Sequence, residues 1–322
     1  AFGASIIQHA KKGFGIQGLI LTPTRELAEQ VALSLRTFSK HQQLMVSTVY
    51  GGVSINNQIK ELKRSDIVVA TPGRLLDHIQ RKTIVLNRVK TLVLDEADTM
   101  FDMGFIRDVE KIIKACPTDR QTLLFSATIT SEIDGLAKRH TKAPARLFTK
   151  STVDPTKLKQ VRYDVSTSLK FPLLVHLLKS ESSELAMVFC NTRRNADKIA
   201  KNLKVEGIVA GAIHGGFSQD KRTRTIRSFH SKRLNVLICT DVAARGLDIK
   251  GVSHVYNYDI PTDSKQYVHR IGRTARAGSE GKAINILSKR DNAQFAKVLR
   301  DNSIKVAREK APFIERKQVR LS

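Results

Sequence analysis

The sequence predicts an α/β protein of two lobes, each a parallel sheet flanked by helices. Three observations carry this. Short apolar, β-branched runs recur between helical patterns, the series halts at a polar stretch and then restarts, and 322 residues with 41% hydrophobic content can fill two cores. Strands buried on both faces need no alternation, so continuous apolar runs with helices between them indicate parallel pairing.

The first series occupies residues 18–22, 46–50, 67–70, 91–94 and 121–125, and the second residues 185–190, 209–213, 236–240, 254–258 and 282–287. Between them, residues 148–156 are polar, carry Pro155 and lack periodicity, which suits a linker. The expected division is residues 1–148, a linker over 149–156, and residues 157–322. The basic tail from Lys305, interrupted by Pro312, reads as a solvated terminus or a final helix.

The formal net charge is +25, of which residues 1–150 supply +8 and the remainder +17. A polyanionic partner is the first expectation, since a basic surface serving only solubility mixes its signs more evenly. Nucleic acid is favoured over a membrane, because no basic amphipathic helix with a rich aromatic face stands out. No apolar run spans a bilayer and the opening residues lack a basic leader, so a cytoplasmic monomer is expected. Cys116, Cys190 and Cys239 are odd in number and widely separated, which fits reduced core thiols better than a disulfide or zinc framework.

The run Thr91-Leu92-Val93-Leu94-Asp95-Glu96-Ala97-Asp98 delivers three carboxylates to a strand's carboxyl end, where open α/β sheets carry out nucleotide chemistry. One carboxylate there can hold Mg²⁺, usually through water, and a second can position and deprotonate the water that attacks a γ-phosphate. Asp95 is assigned to the ion and Glu96 to the water. On these eight residues alone, a strand entering a solvated acidic turn is a serious competitor.

Other strand ends tip the balance. Thr71-Pro72-Gly73-Arg74 offers a turn with free backbone and one cation, and Pro23-Thr24-Arg25-Glu26-Leu27-Ala28 opens a helix whose amides and Arg25 suit an anion. Gly51-Gly52 permits close backbone approach to a ligand. Each is common punctuation alone, but chance seldom places all three on one sheet edge. Ser126-Ala127-Thr128 would set two hydroxyls beside the carboxylates if its strand neighbours theirs, the plain alternative being a helix cap. In the second series, residues 240–248 leave a strand into a Gly-containing turn between opposite charges. His269-Arg270-Ile271-Gly272-Arg273-Thr274-Ala275-Arg276 concentrates three arginines, a cluster that calls for an anion and suits arginine fingers in phosphoryl transfer.

With these residues in view, the chain resembles the DEAD-box RNA helicases over essentially its whole length. Residues 23–28, 51–52, 71–74, 95–98, 126–128, 188–192, 219–222, 240–248 and 269–276 stand in family order. The resemblance implies two RecA-like lobes, RNA-stimulated ATP hydrolysis with Mg²⁺, and local strand separation. It implies that Asp95 and Glu96 serve the ion and the attacking water, that Asp248 binds the ribose, and that Arg273 and Arg276 reach across a cleft as fingers. Asp98, Ser126, Thr128, His269 and Arg270 would couple the nucleotide to RNA. Thr24, Arg25, Gly52, Thr71, Gly73 and Arg74, with Thr192, Gln219, Arg222 and Thr240, would grip the RNA sugar-phosphate backbone, so binding is expected to be sequence-independent. Accessory proteins are compatible with such a generic core.

One departure is large. The family's Gly-rich loop ending in Gly-Lys-Thr is absent from the 322 residues, as is the upstream segment with an adenine-reading Gln. An N-terminally incomplete helicase is the expectation, with a first sheet left unpaired in its middle. The competing readings are an inactive nucleic-acid clamp and a DNA translocase of the same superfamily.

Overall fold

The structure is a computed structural model that describes residues 2–148, 157–181, 183–247, 249, 251–275, 279–302 and 305–314; the expected linker lies outside them. The chain forms two compact units, whose first boundary in sequence lies between Leu147 and Phe148.

The first unit runs α1 (Phe2–His9), β1 (Gly18–Leu21), α2 (Arg25–Phe38), β2 (Val46–Val49), α3 (Ile55–Leu62), β3 (Ile67–Ala70), α4 (Pro72–Gln80), β4 (Thr91–Leu94), α5 (Ala97–Asp102), α6 (Ile106–Ala115), β5 (Gln121–Leu124) and α7 (Ser131–His140). Its strands are all parallel, in the order β2-β3-β1-β4-β5. Successive side chains of a strand enter opposite faces, and both faces here are covered. Leu19, Leu21, Val68, Ala70, Leu92 and Leu94 pack into one core, while Ile20, Ile67, Val69 and Val93 pack into another with Ala28, Ala32 and Leu35 of α2. That double burial is why these strands read as unbroken apolar runs.

The expectation of unpaired backbone in the middle of this sheet is corrected. All five strands hydrogen-bond in unbroken order, with β5 outermost among the described residues. Only partial burial of β5, against complete burial of β1, β3 and β4, reflects that position.

The second unit runs β6 (Leu158–Asp164), α8 (Lys170–Ser180), β7 (Ala186–Phe189), α9 (Arg193–Val205), β8 (Ala210–Ile213), α10 (Gln219–His230), β9 (Val236–Cys239), α11 (Asp241–Ala244), β10 (His254–Asn257), α12 (Ser264–Ile271), β11 (Gly281–Leu287), α13 (Asn292–Asn302) and β12 (Ala307–Glu309). A short 3₁₀ turn at Thr167–Leu169 precedes α8. The order is β12-β6-β11-β10-β7-β9-β8, again parallel throughout. Two strands were not foreseen. In β6 the buried positions are Leu158, Val161 and Tyr163 among polar neighbours, and β12 is three residues of the tail expected to be solvated or helical. β12 pairs with β6, from Ala307 opposite Val161 to Glu309 opposite Tyr163.

All three cysteines are buried and free, and burial raises each thiol, Cys116 to about 11. Among the described residues no helix is long and apolar enough to cross a membrane.

Burial acts in the opposite sense on His78, His140 and His254, lowering each pKa because the imidazolium is poorly solvated there. Below the ordinary value of about 6.5 the unfolded chain therefore binds more protons than the folded one. Stability is full above that value and declines as pH falls from it toward the lower folded values. The melting temperature should drop between about pH 7.5 and about pH 5.5, and His254→Gln should reduce the drop. A melting temperature that is flat over this interval would contradict the assignment.

Candidate functional site

The first unit's strands end in register. Val49 pairs with Ala70, Ala70 with Leu21, Leu21 with Leu94, and Leu94 with Leu124. Their outgoing segments therefore leave one sheet edge side by side, in the order Gly51-Gly52, Thr71 to Arg74, Thr22 to Arg25, Asp95 to Asp98, and Ser126 to Thr128. β1 stands where the winding reverses, between β3 and β4, which is the ligand crevice of open α/β sheets.

The acidic segment occupies one half of this edge. Asp95 N–H extends the ladder by donating to Leu21 O at 2.9 Å, and Asp95 Oδ1 accepts from Glu96 N–H at 3.0 Å. Glu96 adopts left-handed backbone angles, φ 49° and ψ 52°, which turn the chain sharply into α5. For a non-glycine residue this conformation costs on the order of 1 kcal/mol and is typical of functional turns. Ala97 N–H then donates to Phe125 O at 3.0 Å, tying the turn to the end of β5.

Asp95 and Asp98 differ in their surroundings. Asp98 is almost wholly buried and fully engaged: Oδ2 accepts the Thr128 amide at 3.0 Å and the Thr128 hydroxyl at 2.9 Å, while Oδ1 accepts Thr99 N–H at 3.0 Å. Ser126 Oγ donates to Thr128 O at 2.6 Å, bracing the same segment. Asp95 has no basic partner among the described residues, and burial raises its pKa. A carboxylate that burial leaves short of positive charge is suited to a hard, oxygen-loving cation. Among the described residues no three His, Cys, Asp or Glu side chains converge as a metal cage. A Mg²⁺ held by one carboxylate, water and phosphate oxygens needs none.

The other half is basic. Thr24 caps α2, its hydroxyl oxygen accepting Leu27 N–H at 3.3 Å. Arg25 begins that helix and lies against Gly52, where an added Cβ would fall 2.1 Å from Arg25 Nη1; Gly52 also has φ +83°. Thr71 precedes α4, which carries Pro72 at its start and Gly73 and Arg74 in its first turn. Arg74 Nη1 donates to Val53 O and to Gln58 Oε1, both at 3.1 Å.

In the second unit Thr192 caps α9 by accepting Asn195 N–H at 3.1 Å, and Thr240 follows β9. Gln219 begins α10, Arg222 lies one turn on, His269 is in the last turn of α12, and Arg273 is in the turn after it. Asp248 and Arg276 lie outside the described residues.

Arg270 is the most buried cation, 1% exposed. Its Nε and Nη2 bind both oxygens of Asp241 at 2.6 and 2.7 Å, Nη2 also reaches Asn191 Oδ1 at 2.8 Å, and Nη1 reaches Asn257 Oδ1 and Asp259 O. The anion that the arginine-rich run called for is thus supplied, at Arg270, by the chain itself. These partners follow three neighbouring strands or belong to them, so one guanidinium holds several strand ends together. Sequence reading missed Asn191, Asn257, Asp259 and Gln58 as participants, and only Gln58 had a local signal, a polar residue on the buried stripe of α3.

A sequence profile described as DEAD/DEAH box helicase matches residues 1–136, and one described as helicase conserved C-terminal domain matches residues 169–278. The "DEAD-box ATP-dependent RNA helicase CshA" of Geobacillus kaustophilus is 43% identical over 318 residues, 98% of this chain and 68% of that protein. The chain belongs to the DEAD-box helicase family. The CshA of Bacillus cereus is 45% identical over 302 residues, covering 93% of this chain, and the chain spans only 58% of that relative's length. Among solved structures of the family, Saccharomyces cerevisiae Dbp5 bound to RNA and ADP BeF3 aligns with a TM-score of 0.86 and 31% identity, over 97% of this chain and 82% of Dbp5. The two parallel sheets are therefore the tandem RecA-like lobes of DEAD-box helicases.

Removing Arg270 would strand the partly exposed Asp241 carboxylate and several oriented acceptors around the buried space the guanidinium filled. Arg270→Ala should lower the second unit's unfolding free energy by roughly 3–5 kcal/mol, the usual result of breaking a buried ion pair. Denaturant titration followed by circular dichroism measures this, and a loss under about 1 kcal/mol would show that Asp241 is not what holds the guanidinium.

Proposed function

We propose that this DEAD-box chain couples ATP binding and hydrolysis to sequence-independent binding of RNA, and so to local unwinding of RNA duplexes. The observation that supports it best is the single sheet edge on which the acidic segment, the hydroxyl segment clamped to it and the basic turns stand in one row. Nucleotide-dependent movement of the Asp98–Thr128 contact can be transmitted along that edge to groups suited to phosphates.

Asp95 supplies a carboxylate toward Mg²⁺, and the ion when bound neutralises charge on the nucleotide's phosphates. Glu96 orients and deprotonates the attacking water. Arg273 and Arg276 provide planar donors to charge that develops on the transferring phosphoryl group, and Asp248 takes the ribose hydroxyls. Thr24, Arg25, Gly52, Thr71, Gly73 and Arg74 on the first unit, with Thr192, Gln219, Arg222 and Thr240 on the second, contact RNA phosphates and sugars. Asp98, Ser126, Thr128 and His269 relay between the two functions, and Arg270 does so by holding the ends of β7, β9 and β10 together in the second unit.

Backbone recognition should show in salt dependence. The logarithm of affinity for a fluorescent single-stranded oligouridylate should fall steeply with the logarithm of salt, and an oligoadenylate of the same length should bind similarly. Arg74→Ala should reduce the slope by about 0.7, one single-strand phosphate's worth. A strong preference between the two oligomers, or an unaltered slope in the variant, would sink this part of the reading.

Hydrolysis is measured in the chain joined to the family's Gly-rich loop segment, since no Gly-x-x-x-x-Gly-Lys-Ser/Thr occurs in the 322 residues. Glu96→Gln should retain ATP binding and slow RNA-stimulated turnover by on the order of 10²-fold or more. Turnover near that of the parent would remove Glu96 from its role.

A further inference from the structure

Helix α3 presents Ile55, Gln58, Ile59 and Leu62 along one stripe, and the amide at the second of these positions is 5% exposed. A buried primary amide must find partners for its donors and acceptor, and this one finds three. Gln58 Nε2 donates to Tyr50 O at 2.9 Å. Gln58 Oε1 accepts from Arg74 Nη1 at 3.1 Å and lies 3.0 Å from His78 Nε2. The amide orientation follows from the partners: reversed, it would set oxygen against the Tyr50 carbonyl and nitrogen against the Arg74 guanidinium. Because Oε1 can only accept, His78 Nε2 carries a proton and donates to it, while Nδ1 lies 2.8 Å from Thr83 Oγ1, whose hydroxyl donates to His78 O at 3.2 Å. Burial and the nearby Arg74 charge lower the pKa of this buried histidine.

Two turns meet at this amide. The turn after β2 is gripped at both ends, at Tyr50 O by Gln58 and at Val53 O by Arg74, and Gly52 between them lies under Arg25. The turn after β3 contributes Arg74 itself, whose Nη1 is occupied in this way while Nη2 makes no hydrogen bond to the described residues. We propose that Gln58 is a positioning residue for RNA, fixing the Gly51-Gly52 turn and the Arg74 guanidinium in one prearranged set before a phosphate arrives. The inference rests on the RNA-binding reading above and deepens it. Arg74 is long and flexible, and one already immobilised gives up little freedom when it binds. His78 and Thr83 act behind Gln58, holding the acceptor oxygen where Arg74 needs it.

The experiment is a double-mutant cycle in the 322-residue chain, read as affinity for the fluorescent oligouridylate at fixed salt, with folding checked by circular dichroism. Gln58→Met keeps length and apolar volume but removes donor and acceptor. It should weaken binding roughly 3- to 10-fold, the effect expected for one long side chain that must now be ordered on binding. Most of that loss should vanish when Arg74→Ala is already present, which a general loss of stability would not reproduce. Gln58→Glu retains an acceptor for Arg74 and should bind more tightly than Arg74→Ala does. Parent-like affinity in Gln58→Met, or an equal loss with and without Arg74, overturns the proposal. Should Gln58→Met fail to fold, a folded Gln58→Glu chain that binds no better than Arg74→Ala overturns it instead. A parent chain without salt-dependent RNA binding brings down the functional reading and this proposal together, whereas a parent weakened by Arg74→Ala but not by Gln58→Met brings down this proposal alone.

Discussion

Parallel pairing makes neighbouring strands point the same way, and when they also stop in register their chains must leave at a common edge. In the first unit this constraint binds five strands, from the pair Val49 and Ala70 to the pair Leu94 and Leu124. Segments far apart in sequence, such as the glycine pair at 51 and 52 and the hydroxyls at 126 and 128, become members of one row. Slipping one strand along its neighbour would break the row and expose its apolar side chains, since both faces of the sheet are packed. The core thus protects the site's geometry without contributing to its chemistry.

Charged groups at the strand ends of the two units are engaged to different degrees. Asp98 spends its acceptors on Thr128 and Thr99, and Arg270 in the second unit spends its donors on Asp241, two asparagines and a carbonyl. Groups of this kind lock geometry. Asp95, three residues before Asp98, is pushed toward its neutral form by burial and lacks a cationic neighbour among the described residues. In the proposed function one carboxylate therefore serves as framework and the other as ligand, although they belong to the same four-residue motif.

Most of this was legible in the sequence where a physical rule acts locally. Strands buried on two faces announce themselves as apolar runs, and the helix opening after Pro23 was equally plain, although the caps Thr24 and Thr192 emerged only in the structure. β6 and β12 were missed because their burial is interrupted by polar residues and because β12 is only Ala307–Glu309. Asp95 and Glu96 could be singled out because a strand's carboxyl end is a special place in this architecture. Asn191, Asn257 and Asp259 could not, since their role comes from Arg270, whose reach to them is set by how α12 packs on the second sheet rather than by any local pattern. The left-handed turn at Glu96 was equally invisible, because glutamate gives no hint of it.

Two glycines of the same edge show how differently one residue type can be constrained. At Gly52 the left-handed backbone angle strains any side chain, and a methyl group there would also displace the Arg25 guanidinium. At Gly73 an added Cβ would meet nothing within 4 Å. Folding therefore leaves room for a substitution at 73, while at 52 it strains the folded chain itself. Deep mutational variation in this protein would consequently separate the pair: depletion at 52 would register under selection for intact structure, and depletion at 73 only under selection for what the edge holds.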